Sequence, residues 1–375
     1  MKVRPMPETD DAPAGVSRSQ RSESDGQRAR GGASDGSGAS GREPPLYGAL
    51  DLGTNNCRLL IARPARDGFR VVDSFSRIVR LGEGLSRTGR LDEAAMERAY
   101  GALVLCGERV ARKGVDPARL MAVATQACRQ ADNGAAFVER VREGTGLRLR
   151  IIDPIEEARL AVEGCLNLFD NAAEAVLVVD VGGGSTELSW LKRTDGAFAL
   201  EAWMSAPIGV VTLAERHPEP AAGAPASIED WYEAMVVDMA GALSRAPVDP
   251  DLRQVFEAGR AHLVGTSGAI TSLAGIHLGL RRYQRNLVDG LWMTRGDCER
   301  AAARLLEMGP AGRAAESCIG PERADLVLAG AAIMEAVQRA WPSERVRVAD
   351  RGLREGLLLQ RMREERRPRR RRRRR

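Results

Sequence analysis

The chain has 375 residues, 43% of them hydrophobic and 4% aromatic: room for about two domains, but too few rings for an extended base-stacking surface. Six scattered cysteines without a C-x-x-C pair argue against a disulfide framework or zinc site, and three histidines (His217, His262, His277) are too few for a histidine-built metal cluster. The formal charge of +5 is uneven: Arg361 to Arg375 carries eleven arginines and two glutamates, so removing that +9 leaves a mildly acidic body at −4.

Residues 1–45 are rich in Ser, Gly, Asp, Arg and Pro and lack apolar periodicity, which predicts a disordered tail. The N-terminus also lacks the apolar core of a secretory signal, and no apolar run reaches the roughly 18 residues of a membrane span, so a cytoplasmic location is expected. An apolar strand then runs from Leu46 to Asp51, turns at Gly-Thr-Asn and returns over residues 57–62, a hairpin signal. A third strand is predicted over 69–75, a helix over 91–113 and a strand over 120–124. A helix over 133–145, a strand over 147–152 and a helix opened by Pro154 complete an α/β lobe over residues 46–160.

The pattern restarts at residue 175. A buried strand ends at Asp180, a glycine-rich turn follows, and a strand returns over 187–191, opening a second lobe assigned to residues 161–360. Helices are expected near 227–244, 267–279, 296–307 and 321–340, with a strand near 345–349 and a last helix from about 352. Pro218 to Ala226 reads as a Pro/Ala/Gly loop. Residues 361–375 end in seven consecutive arginines and are expected to be a disordered tail, either simply solvated or a weak binder of polyanions or RNA.

Two turns share one design. Asp51 precedes Gly53, Thr54 and Asn55; Asp180 precedes Gly182, Gly183, Gly184, Ser185, Thr186 and Glu187. The glycines let backbone N–H groups close around an anion, and Thr54, Ser185 and Thr186 add hydroxyl donors. Asp51, Asp180 and Glu187 offer oxygens to a hard divalent cation such as Mg²⁺. Such a pair of turns suits a phosphate gripped from both sides. Gly265, Ser267 and Gly268 open a later helix, as a further phosphate site or as a close helix–strand contact.

The two turns resemble the phosphate motifs of the superfamily that contains sugar kinases, actin and heat-shock ATPases. Four further stretches resemble the exopolyphosphatase and guanosine-pentaphosphatase branch: Thr125-Gln126-Ala127-Cys128-Arg129, Glu156-Glu157-Ala158-Arg159, Gly265-Thr266-Ser267-Gly268 and Leu353-Arg354-Glu355-Gly356. The resemblance covers about residues 46–360. It implies two ribonuclease H-like, actin-like lobes around a central cleft, in the short form without the C-terminal HD-type domain of the longest relatives. It implies hydrolysis of terminal phosphoanhydride bonds with Mg²⁺ or another divalent cation, Glu157 as general base, Arg129 beside the phosphate, Asp180 and Glu187 at the metal, and a homodimer. Inorganic polyphosphate and guanosine pentaphosphate both remain as substrates. A sugar kinase or actin-like assembly ATPase is the alternative class, although the Glu-Glu-Ala-Arg placement favours attack by water.

Overall fold

A computed structural model of the protein describes residues 43–66, 68–221 and 227–366. Nearly all of the predicted N-terminal tail, the end of the Pro/Ala/Gly loop and the arginine run lie outside the described residues. Every element below belongs to the compact unit that begins at Pro44.

Strands β1 (Tyr47–Leu52), β2 (Asn56–Ala65), β3 (Gly68–Ile78), β4 (Leu120–Ala124) and β5 (Arg150–Ile151) form one sheet in the order β3-β2-β1-β4-β5. A second sheet contains β6 (Ala175–Val181), β7 (Thr186–Thr194), β8 (Ala197–Ala206), β9 (Ala261–Thr266), β10 (Trp292–Thr294) and β11 (Arg345–Ala349), in the order β10-β11-β9-β6-β7-β8. In each, an antiparallel meander (β1-β2-β3, β6-β7-β8) is extended by parallel strands on the side of its first member (β4 and β5; β9 and β11). The second sheet adds only the antiparallel edge β10. The chain is therefore two copies of one α/β unit, the fold class expected for two actin-like lobes. Strands β1 and β6, apolar almost throughout, lie centrally in both sheets, as near-continuous hydrophobic runs should.

Alternation along β1 and β2 sends side chains to two cores. Leu50, Leu52, Leu59 and Ile61 pack with Met96, Leu103, Phe137 and Val141 of the helices Glu93–Lys113 and Gly134–Thr145. Tyr47, Ala49, Leu60 and Ala62 pack instead with Leu160, Leu353, Leu357 and Met362. The helix Leu353–Arg366, reached only after the whole second sheet, covers this other face of the first sheet, and the helix Pro154–Cys165 packs between it and the second sheet. They approach closely because Gly356 lacks a side chain: a Cβ there would lie 2.0 Å from the Leu160 carbonyl oxygen. The second sheet is anchored by a buried aromatic cluster in which Trp341 meets Trp190 at 5.2 Å and Phe256 at 5.4 Å between centroids.

The last helix runs to Arg366, past the tail boundary placed at 361. Its charges are paired rather than repelled: Glu365 accepts hydrogen bonds from Tyr47 Oη and Arg119, and Arg361 Nε donates to the Ala118 carbonyl. The predicted strand over 147–152 pairs only at Arg150–Ile151, and the helix expected near 321–340 begins at Val327. Among the described residues no helix is long and apolar enough to cross a membrane.

Candidate active site

The β1–β2 and β6–β7 turns meet at the centre of the molecule. A Cβ on Gly183 would lie 3.0 Å from Thr54 Cβ and 3.2 Å from the Asn55 nitrogen, so the turns touch and glycine is what permits it. Their carbonyls point outward into protein. Thr54 O accepts from Gly82 N (2.9 Å), Asn55 O from Val79 N (2.9 Å), Gly182 O from Val210 N (3.0 Å) and Gly183 O from Val211 N (2.7 Å). The N–H groups of Thr54, Asn55, Gly183 and Gly184 have no backbone acceptor among the described residues. Carbonyls tied back and amides left free make an anion nest on each side.

A cavity of about 140 Å³ lies here. Its walls include Asp51, Gly53, Thr54 and Asn55 from the first turn, Asp180, Gly182, Gly183 and Ser185 from the second, and Ser267 and Gly268 from the third. Ser267 holds φ at 143°, a strained value for a residue with a side chain, while its hydroxyl caps the helix Gly268–His277 by accepting from Ala269 N and Ile270 N. Of the remaining candidates, Thr186 commits its hydroxyl to the Ile208 carbonyl (2.7 Å), and Gly265 lies inside β9 against Ile270. Gly184, Thr186, Glu187, Gly265 and Arg129 stand behind the cavity wall.

Glu157 enters the cavity from the helix Pro154–Cys165, whose start is fixed by Pro154 and by Asp153 accepting from Glu156 N at 2.8 Å. Its neighbour points elsewhere: Glu156 makes a bidentate pair with Arg150, both contacts 2.6 Å. Glu157 is buried, and Arg129 Nη1 donates to its Oε2 (3.2 Å) as well as to the Ile152 carbonyl (2.7 Å). Burial, and then the nearby Glu187 carboxylate, raise the Glu157 pKa well above the ordinary glutamate range; Arg129 opposes them.

The strand register explains the rest of the electrostatics. Asp51 pairs across β1–β2 with Arg58, whereas Asp180 occupies the equivalent place across β6–β7 from Glu187. The two halves thus carry opposite charges at one position. Burial raises Asp51 while Arg58 and Arg354 pull it back, but Asp180 has Glu187 beside it and is pushed up to about 7 by burial and that repulsion. Asp51 Oδ1 is buried without a hydrogen-bond partner. Glu187 instead accepts from Ser185 Oγ (2.7 Å) and Ser205 Oγ (2.9 Å). An orphaned carboxylate oxygen beside a second, repelled carboxylate fits a hard divalent cation, which Asp51 and Asp180 would ligate directly with Glu187 behind them. Among the described residues no cluster of three ligating side chains exists, so such an ion would complete its shell with water and substrate oxygens.

Sequence reasoning assigned no site role to Arg58, Arg323 or Arg354, although Arg354 lies in the Leu353-Arg354-Glu355-Gly356 stretch. All three line the cavity and continue into an adjoining trough of about 820 Å³ that also carries Arg77 and Arg285. The register opposite Asp51 was the one signal for Arg58, and the Leu353-Arg354-Glu355-Gly356 stretch was the one for Arg354, which reaches the site through the chain's long return. Glu355 fixes that return, accepting from Gly352 N (2.9 Å) and from Arg285 Nη2 (3.1 Å).

A sequence profile described as the Ppx/GppA phosphatase family matches residues 60–365. The chain belongs to that family. It is 30% identical over 323 residues to exopolyphosphatase 1 of Mycobacterium leprae, covering 85% of this chain and 90% of the relative. It is 28% identical to the guanosine-5′-triphosphate,3′-diphosphate pyrophosphatase of Photobacterium profundum, covering 86% of this chain but 60% of that relative. The crystal structure of the Aquifex aeolicus Ppx/GppA family member superimposes with a TM-score of 0.68 at 28% identity, over 86% of this chain and 99% of that one. As a Ppx/GppA member the protein is a hydrolase of phosphoanhydride bonds, on the two-lobed actin-like fold.

Proposed function

We propose that the protein removes terminal phosphates from inorganic polyphosphate in a divalent-cation-dependent reaction, with the 5′-terminal phosphate of guanosine pentaphosphate as a second substrate. The observation that carries this is the placement of Glu157: a buried, base-tuned carboxylate at the junction of two anion nests. Thr54, Asn55 and Gly183 amides bind the terminal phosphoryl oxygens. Glu157 takes a proton from water as the water oxygen bonds to phosphorus; the bridging P–O bond breaks and orthophosphate leaves. Arg129 holds Glu157 in place through Oε2, leaving Oε1 for the water. Asp51 and Asp180 would hold the cation, which when bound neutralises phosphoryl charge.

Polyphosphate is favoured by the trough, whose lining sets Arg58, Arg77, Arg285, Arg323 and Arg354 against only Glu322 and Asp350, a net positive surface for the shortened chain. The similarity to the exopolyphosphatase relative, at 30% identity, points the same way. The test is orthophosphate release with Mg²⁺ from long and short polyphosphate, guanosine pentaphosphate and ATP, with and without a chelator. Release from polyphosphate that the chelator abolishes is expected. Phosphoryl transfer to a sugar, or ATP-dependent polymerisation without release from polyphosphate, would replace this reading with a kinase or an assembly ATPase.

A further inference from the structure

One side chain in the cleft touches both phosphate turns and has no role in the reaction described above. Gln126 begins the short helix Gln126–Gln130, which also carries Arg129 three residues on. It is 6% exposed, and it lines the same cavity as Glu157. Its Oε1 accepts from Thr54 Oγ1 of the first turn at 3.4 Å. On its other side it lies flat against the second turn: a Cβ on Gly184 would fall 1.9 Å from Gln126 Oε1 and 3.1 Å from Nε2. The amide therefore occupies the seam between the two nests, and the missing side chain of Gly184 makes room for it.

A primary amide has an acceptor end and a donor end. The acceptor end is engaged by Thr54. The donor end, Nε2, has no protein acceptor among the described residues and is not among the fully buried unpartnered atoms, and the side chain that carries it lines the cavity. A donor fixed by a hydrogen bond on its own carbonyl, at the seam of two anion nests, is oriented before any ligand arrives.

We propose that Gln126 Nε2 donates to an oxygen of the terminal phosphoryl group and strengthens that bond as charge builds in the transition state. Resting on the hydrolase reading above, this adds a catalytic residue to it. The bland alternative is a spacer: Gln126 merely keeps Thr54 and Gly184 apart.

Two variants separate these roles. Gln126→Glu keeps the shape and the acceptor for Thr54 but replaces the donor with a second acceptor. Gln126→Met keeps the length and removes both. A donor role predicts kcat for phosphate release lowered about 10²-fold in Gln126→Met and further in Gln126→Glu, with melting temperatures close to the parent's. It also predicts that orthophosphate raises the parent's melting temperature but raises that of either variant much less. A spacer predicts the reverse order, with Gln126→Glu the milder change. That order, or kcat within about threefold of the parent in both variants, overturns the proposal. Should the parent release no phosphate from any substrate, the hydrolase reading fails separately, and the orthophosphate melting shift still decides whether Gln126 binds phosphate.

Discussion

At the scale of single residues, environment divides two adjacent glutamates into different roles. Glu156 is neutralised by Arg150 at the surface, while Glu157 is desolvated among carboxylates. A base whose pKa is raised must lose its proton before it can act. kcat/KM should therefore climb with pH through a limb well above about pH 5, where an unperturbed glutamate has already ionised; a flat profile from about pH 5 upward would count against Glu157 as the base. Asp180 gives a stability prediction of definite sign. Between its ordinary value and about 7 the folded chain holds a proton that the unfolded chain has released, so stability falls as pH rises across that window. Asp180→Asn removes the repelled charge. At about pH 8, without divalent cations, it should raise the melting temperature by about 2–4 °C while costing most of the phosphate release. A lowered melting temperature would show the carboxylate to be a stabilising group instead. The aspartate and glycine turns were legible in sequence because their design is local, complete within eight residues. The places of Arg323, Arg354 and Gln126 at the site were not, because only the folded chain brings them together.

At the scale of elements, the site depends on helices that meet across most of the chain. The helix carrying Glu157 is wedged between the second sheet and the returning helix Leu353–Arg366, with backbone approaching backbone at Gly356 where the two helices meet. Gly356→Ala pushes a methyl group into the Leu160 carbonyl, which cannot yield as a flexible side-chain end would. We expect a loss of about 1–3 kcal/mol in denaturant unfolding, with kcat reduced because Glu157 shifts with its helix. An unchanged unfolding midpoint would mean that the helices separate at little cost. The central strands β1 and β6 were readable from their apolar runs. Strand β8 was missed because it is a half-exposed edge strand without a buried apolar run, and β10 because only three residues pair. The helix over 91–113 was readable to within two residues at its start, because Asp92 caps it by accepting from Ala95 N and Gly114 ends it at φ 68°.

At the scale of the whole molecule, the cleft is clasped along one rim. Arg80, held at φ 47°, makes a bidentate pair with Asp325 (2.9 and 3.1 Å) and donates to the Glu322 carbonyl (3.0 Å). Glu215 accepts from Gly84 N (3.0 Å) and Ser86 Oγ (2.9 Å) nearby. These contacts join the loop after β3 to the half built on the second sheet. They are solvent-exposed, so Arg80→Ala should shift the melting temperature by less than about 2 °C. KM for polyphosphate should nonetheless rise several-fold, since the clasp favours the conformation in which both nests face one phosphate. An unchanged KM would show the clasp to be incidental. The duplication itself was legible, because the same strand–turn–strand design occurs twice; the return of the last helix to the first sheet was not, because nothing local in residues 353–366 says which sheet they cover.

The most direct test of the account compares Glu157→Gln with Glu156→Gln in orthophosphate release from polyphosphate, each variant first shown to melt like the parent. We expect a fall of about 10³-fold or more in kcat for Glu157→Gln and a change of less than about threefold for Glu156→Gln. Equal losses in both, or activity indifferent to Glu157, would contradict the proposal that this buried carboxylate activates the attacking water.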